Sequence, residues 1–243
     1  MIRISDVTKK YGDFVAVSDV SLSIAGGEVF GFIGPNGAGK TTMIRMLGGI
    51  LAPTSGRIHI CGIDMAEAPE DAKARVGFIP DRPYLYEKLT AMEFLRFTAD
   101  LYHVDADAFP EKAIAMLTMF SLDQWADHLI ESFSHGMKQR LIMAGALLHD
   151  PDVLIVDEPM VGLDPAGIRM VKDLLREKAT NGSAVFMSTH TLSVAQEVCD
   201  RVGVINRGKL IAIGTMADLQ LQSGAKQADL EEVFFRLTQE ESM

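Results

Sequence analysis

The stretch Gly34-Pro35-Asn36-Gly37-Ala38-Gly39-Lys40-Thr41 fills the pattern G-x-x-x-x-G-K-[ST] directly behind an apolar, strand-like run at residues 28–33. Phosphate binding needs these residue types. Glycines let backbone N–H groups turn inward around phosphate oxygens, a lysine such as Lys40 reaches the β and γ phosphates, and the Thr41 hydroxyl can ligate Mg²⁺. A helix opening near Lys40 would add the positive end of its dipole. Strand, loop and helix in this order predict an α/β fold that cradles a nucleotide.

Around this loop the periodicity divides the chain in three. Residues 2–7, 15–24, 28–33 and 57–60 read as strands, punctuated by Gly12, Gly26-Gly27 and Gly56, and a buried strand at 76–79 ends at Pro80. From about residue 90 to 149 the pattern turns helical, with segments near 91–103, 110–120, 123–130 and 135–148. Beyond Pro151 strands at 153–156, 184–188, 202–205 and 210–213 alternate with helices after Pro165 and through 191–200. Apolar strands in βαβ alternation imply a parallel sheet covered by helices, interrupted by a helical insert. Leu230, Val233, Phe234 and Leu237 in the tail share a helical spacing and read as a stripe packed on the core.

The second chemical feature is the apolar run 153–156 followed by Asp157-Glu158-Pro159. Open α/β sheets place ligands at the carboxyl ends of their strands. Two adjacent acids there can face a metal and a water, with Asp157 as the metal carboxylate and Glu158 as the group that polarises the water. Ser134-His135-Gly136 opens the last helix of the insert, Ser134 placed as a cap and Gly136 permitting close backbone approach. That start is either a second phosphate site or a helix that simply caps itself.

Composition narrows the classes. The 243 residues suffice for one large domain, and 23 basic against 33 acidic side chains give a formal charge of −10. No basic cluster is long enough for a phosphate-backbone patch, so nucleic acid is not the expected partner. Cys61 and Cys199 lie far apart in no metal-like spacing and read as reduced thiols of a cytosolic protein. The N-terminus has no signal pattern, and no stretch approaches the roughly 18 apolar residues that span a bilayer.

Taken in order, residues 34–41, Phe133-Ser134-His135-Gly136-Met137, the 153–159 run, Gly162-Leu163-Asp164 and Ser188-Thr189-His190 resemble an ATP-binding-cassette ATPase over nearly the whole chain. The short Phe-Ser-His-Gly-Met-Lys-Gln-Arg form and the tail Leu230-Glu231-Glu232-Val233-Phe234 look most like stand-alone ATPase subunits of bacterial export-type transporters. The resemblance implies a P-loop NTPase core with a parallel sheet, an N-terminal antiparallel β subdomain and an inserted helical subdomain. Its bounds fall at 1–82 and 150–220 for the core, 83–149 for the insert and 221–243 for a helical tail.

It also implies roles. Tyr11 would stack on adenine, although it reads equally as a turn aromatic before Gly12. Gly34, Asn36, Gly37, Ala38, Gly39, Lys40, Thr41 and Thr42 would surround the phosphates of ATP. Mg²⁺ would be held by Thr41 and Asp157 with Asp81 beside it, Glu158 would be the catalytic base, and His190 the γ-phosphate switch. Asp164 belongs to the loop that crosses between subunits, and it also reads as a plain helix cap. Ser134 and Gly136 would contact the ATP of a second subunit in a head-to-tail dimer, homomeric or heteromeric. His135 stands where glycine is commoner and is expected to point to solvent. The chain would sit peripherally on the cytoplasmic face of the membrane and drive a separate membrane-spanning permease. Arg82-Pro83-Tyr84-Leu85-Tyr86, apolar and aromatic in a turn context, reads either as part of the receiving surface or as a segment buried inside the insert. The alternative is a soluble ATPase of the same class acting as an assembly or scaffold factor. The transported molecule is not written in this chain.

One departure stands out. Many relatives carry glutamine after the strand at 76–79, where this chain has Pro80-Asp81. Two carboxylates about 6 Å apart at an effective dielectric of about 20 repel by roughly 3 kcal/mol, and a divalent ion attracts each by about twice that. Asp81 is therefore expected to make nucleotide binding depend strongly on Mg²⁺, the alternative being that it points to solvent and the motif is degenerate here.

Overall fold

The computed structural model describes residues 1–82, 84–225 and 227–240. Pro83 of the proposed receiving surface lies outside them. Two sheets organise the chain. The first, in the order β2-β1-β4-β5, is antiparallel and contains β1 (Ile2–Tyr11), β2 (Phe14–Ile24), β4 (Ser55–Ile60) and the short β5 (Ile63–Asp64). The second runs β10-β9-β3-β8-β7-β6, from β3 (Val29–Ile33), β6 (Val76–Ile79), β7 (Val153–Asp157), β8 (Ala184–Thr189), β9 (Arg201–Asn206) and β10 (Lys209–Gly214). All its pairings are parallel except the β9–β10 hairpin.

Every residue of β3, β7 and β8 is buried, as expected of central parallel strands covered on both faces. One face of the sheet packs with the antiparallel sheet around Phe30, Phe32 and Phe186, the ring of Phe186 lying 5.9 Å from that of Phe30 and 5.3 Å from that of Phe32. That cluster also takes in α1 (Lys40–Leu47), through Met43, Ile44, Met46 and Leu47, and Ala72 of α2 (Pro69–Lys73). Leu154, Val156, Val185 and Met187 face the other way and join α6 (Pro165–Thr180) and the insert. A third cluster closes the β9–β10 edge with α7 (Leu192–Val198), α8 (Met216–Gln222) and α9 (Leu230–Glu240), and Leu230 and Val233 of the tail stripe are buried in it.

The insert contains α3 (Ala91–Leu101), α4 (Phe109–Met119) and α5 (His135–Leu147). Thr90 and Glu93 form a reciprocal capping box that starts α3. From Leu141 to Leu147 all of α5 is buried, so this helix is wrapped on every side and fixes the insert against β6. Just past its end His149 stacks face to face on Tyr102, ring centroids 3.8 Å apart and planes at 14°.

Residues 123–130, expected as a helix, form instead two short 3-10 turns, Asp123–Trp125 and Ile130–Ser132. The cause is competition for backbone partners. Ala126 O accepts from Met92 N, Ile130 N donates to Leu89 O, and Thr90 and Leu129 form an antiparallel bridge. Groups bonded across to residues 89–92 cannot close i→i−4 rings among themselves. Among the described residues no helix is long and apolar enough to cross a membrane. Both cysteines are free, and burial pushes the Cys199 thiol up to about 12.

Candidate functional site

The phosphate loop leaves β3 and enters α1 as its pattern predicts, and its shape is imposed by backbone packing. Gly39 caps α1 at φ 110°, a left-handed conformation that favours glycine, and a Cβ there would lie 2.5 Å from Ala16 O. A Cβ on Gly34 would lie 2.3 Å from Ile205 O. Ala38 is buried, with its N–H on Pro35 O and its carbonyl accepting from Gly208 N, and Gly208 O in turn accepts from Ser18 N. The loop is thus seated between β2, the β9–β10 turn and the end of β9. Gly37, at φ +79°, faces the other way, and a Cβ there would meet nothing within 4 Å. Its open side is where a phosphate has room.

Lys40 Nζ donates to the carbonyls of Gly34 at 2.7 Å and Pro35 at 3.2 Å. Burial pulls its ammonium below the ordinary lysine value, while Glu158 and Asp157 oppose that shift. A cavity of about 460 Å³ opens over the loop. Asn36, Gly37, Gly39, Lys40, Thr41 and Thr42 form its floor, and Asp81, Asp157, Glu158 and His190 form the wall on the side of the parallel sheet. Tyr11 and Phe14 close the far end, paired across the β1–β2 hairpin and 48% and 63% exposed. Phe14 and Ala16 have no counterpart in the expected set, because only the hairpin pairing reveals that Phe14 sits opposite Tyr11.

The acids end β7 and are held from β8. Asp157 pairs in register with Ser188, whose hydroxyl donates a short hydrogen bond to the Asp157 carboxylate. Burial pushes Asp157 above the usual carboxylate range; the Ser188 hydroxyl opposes this, and the charges of Asp81 and Glu158 add to it. Asp81 is therefore close enough to act electrostatically on the same group. Glu158 adopts φ +48°, rare outside glycine, and its N–H is fixed on Ser188 O at 3.0 Å. Thr189 Oγ1 donates to Glu158 Oε2 at 3.2 Å, and His190 Nδ1 lies 2.8 Å from Glu158 Oε1. Three consecutive residues at the end of β8 thus orient two consecutive acids at the end of β7. That pairing is a property of sheet register and is invisible in the spacing of either motif.

This donor set fits a magnesium nucleotide. It offers one ammonium, the Thr41 and Thr42 hydroxyls, the bare backbone of Gly37 and Gly39 and three carboxylates lining one cavity. Ser134 and Gly136 stand apart from it. Ser134 caps α5, its Oγ accepting from Met137 N at 3.3 Å, and Gly136 faces Gly162 and Leu163. Asp164 caps α6 through Gly167 N at 2.9 Å. His135 is exposed as expected, but its ring does not simply face solvent: one edge lies on Gly162.

The family model described as ABC transporter matches residues 17–161. The chain is 39% identical over 240 residues to the probable multidrug ABC transporter ATP-binding protein YbhF of Escherichia coli, covering 98% of this chain but only 41% of that protein. It is 34% identical to the ABC-type transporter ATP-binding protein EcsA of Bacillus subtilis, covering 100% of this chain and 98% of the relative. Among solved structures, an ATP-binding subunit of an ABC transporter superposes with a TM-score of 0.93 at 33% identity, covering 98% and 99% of the two chains. A dimeric post-hydrolysis state of the cassette MJ0796 with ADP and Pi superposes at 0.78 and 27% identity, covering 89% of this chain and 99% of that one. On the strength of the phosphate-loop site, the fold and these matches, the chain belongs to the ABC transporter family, as a homologue of its ATP-binding subunits.

Proposed function

We propose that the chain is the ATP-hydrolysing subunit of a transporter, and that two such subunits, identical or paired with a related one, close head to tail around two molecules of Mg-ATP. The observation that carries this reading is the single cavity in which Lys40, Thr41, Asp157, Glu158 and His190 meet. Tyr11 and Phe14 would receive the purine; Lys40, Thr42 and the loop N–H groups would bind the phosphates; Thr41, Asp157 and Asp81 would hold the metal. Bound Mg-ATP would supply the γ-phosphoryl group and a divalent charge beside it, and Lys40 would neutralise charge developing on that group. Glu158 Oε1 or Oε2 takes the proton of the attacking water, and Thr189 and His190 keep that carboxylate aimed. Ser134 and Gly136, on the exposed opening of α5, would complete the partner's site.

Coupling to a membrane-spanning permease is supported by a second cavity, of about 510 Å³, beside the first. Ile44, Ile50, Phe78, Phe94 and Tyr102 make it apolar, Tyr84 opens onto it, and Asp81 lines both cavities. Tyr84 and Tyr86 are 77% and 63% exposed, and Tyr86 stands edge-on to Phe97 at 5.5 Å. A groove of this kind suits an apolar helical segment of a membrane partner. An export direction is favoured by the relatives' printed roles in multidrug transport and linearmycin resistance. The test is affinity capture of the tagged chain from detergent-solubilised membranes. A stoichiometric multi-span protein, lost on replacing Tyr84 and Tyr86 by Asp, is the expected result. Capture of soluble partners only would replace this reading with the scaffold alternative.

A further inference from the structure

The opening turn of α5 touches the core at two places unrelated to its cap. A Cβ built on Gly162 would fall 2.5 Å from His135 Cδ2 and 2.8 Å from Nε2, so the imidazole lies directly on the bare backbone of Gly162. Gly162 has φ +77°, and both the conformation and the contact require glycine. One turn along, Gln139 is fully buried, with Nε2 3.5 Å from Pro80 O and Oε1 lacking a partner among the described residues. Positions 135 and 139 share a helix face. That face therefore bears on the two segments that leave β7 and β6 towards the nucleotide cavity.

The first of these segments, residues 158–164, begins with Glu158 and ends with the Asp164 cap. Within it only two weak backbone bonds are formed, Val161 N to Glu158 O at 3.2 Å and Leu163 N to Met160 O at 3.4 Å. Its middle is otherwise held by contact. His135 and Glu158 line one cleft of about 510 Å³, together with Asp81, Arg82, Lys138 and Val161. An ion pair of Lys138 with Glu87 ties the same helical turn to the segment after β6.

We propose that His135 is a positioning residue for the hydrolytic loop of its own subunit: the imidazole seated on Gly162 fixes residues 158–164 and through them the aim of Glu158. The inference rests on Glu158 being the base, and its test separates the two. Full-length His135→Gly, His135→Phe, Gly162→Ala and the His135→Gly/Gly162→Ala double variant are compared by hydrogen exchange of residues 158–164 without nucleotide and by kcat and KM for ATP.

His135→Gly is expected to speed loop exchange about tenfold and to lower kcat about tenfold with KM within about twofold, the signature of lost positioning. His135→Phe, which keeps a ring edge on Gly162, is expected to restore both. Gly162→Ala should cost at least about fivefold more in kcat with His135 present than in its absence, since only then does the new methyl meet a ring. Unchanged exchange in His135→Gly, faster exchange with kcat intact, or additive losses in the double variant would overturn the proposal. A raised KM with unchanged kcat would also overturn it, assigning His135 to the partner's nucleotide. Should Glu158→Gln prove harmless, the base assignment fails by itself, while loop exchange still reads the His135 contact.

Discussion

Replacing His149 by Phe should remove an acid-sensitive joint from the protein. His149 follows α5 and stacks on Tyr102 of the segment ending α3, with both ring nitrogens buried and without hydrogen-bond partners among the described residues. Burial lowers its pKa from 6.5 to about 4; Lys112 acts in the same sense, while Asp150 and the Val76 backbone oppose it. The Val76 backbone is near enough to favour the charged ring without closing a well-formed bond. A histidine that is neutral when folded and protonated when unfolded destabilises the fold as pH falls. Its contribution is intact above about 6.5 and is lost progressively down to about 4. The displacement from 6.5 to about 4 sets a ceiling of about 3.4 kcal/mol at about 1.36 kcal/mol per pH unit. Because His149 as a whole is only partly buried, about 2 kcal/mol is the working figure. With a urea slope near 3 kcal/mol/M, that is a midpoint shift of about 0.7 M. Urea unfolding of wild type and His149→Phe at pH 7 and pH 4.5 measures it. The variant should match or slightly exceed wild type at pH 7, because the stack is kept and two unpaired polar atoms are gone. At pH 4.5 it should lead by about 0.7 M. Parallel loss of stability in both proteins would refute the reasoning, since the carboxylates common to both would then account for all of the pH dependence.

Two further outcomes bear on the nucleotide cavity. Asp81→Gln should tighten binding of Mg²⁺-free ATP by up to about 100-fold, the equivalent of roughly 3 kcal/mol of carboxylate repulsion, and should weaken the Mg²⁺ dependence. Fluorescent-nucleotide titrations across Mg²⁺ concentrations test this, and identical midpoints for variant and wild type would dismiss the role of Asp81. Glu158→Gln keeps the side chain's size and its bond from Thr189 while removing the proton acceptor; steady-state hydrolysis should fall at least about 100-fold with ATP still bound. Undiminished turnover would strike Glu158 as the base.

What could be read in advance follows from how local the information is. Lys40 and Thr41 reveal the loop because one short segment carries every group needed to face a phosphate. Asp157 and Glu158 are legible because an apolar run must stop where the sheet edge meets water. Ser134 and Asp164 act as the helix caps their residue types imply. The hold of Ser188 and Thr189 on the two acids was not legible, because it depends on β7 and β8 being neighbours in register. Phe14 was missed for a like reason, since its place depends on pairing with Tyr11 across the hairpin. Residues 123–130 have helical spacing, but backbone partners at 89–92 outbid it. His135 is exposed as its reading implies, but its contact with Gly162 was not legible, because glycine leaves no side-chain pattern to find.

The seating of the phosphate loop has a consequence for how transferable the motif is. Gly34 abuts the Ile205 carbonyl, Gly39 abuts the Ala16 carbonyl, and Ala38 is bonded to Gly208. The curve of the loop is therefore moulded by three chain segments that carry none of its consensus. Its conformational entropy is lost when the domain folds, so a ligand meets a rigid receptor and is spared that cost. Residues 34–42 grafted onto another strand–helix junction would carry the lettering without the mould, and would have to order themselves anew each time a nucleotide arrived.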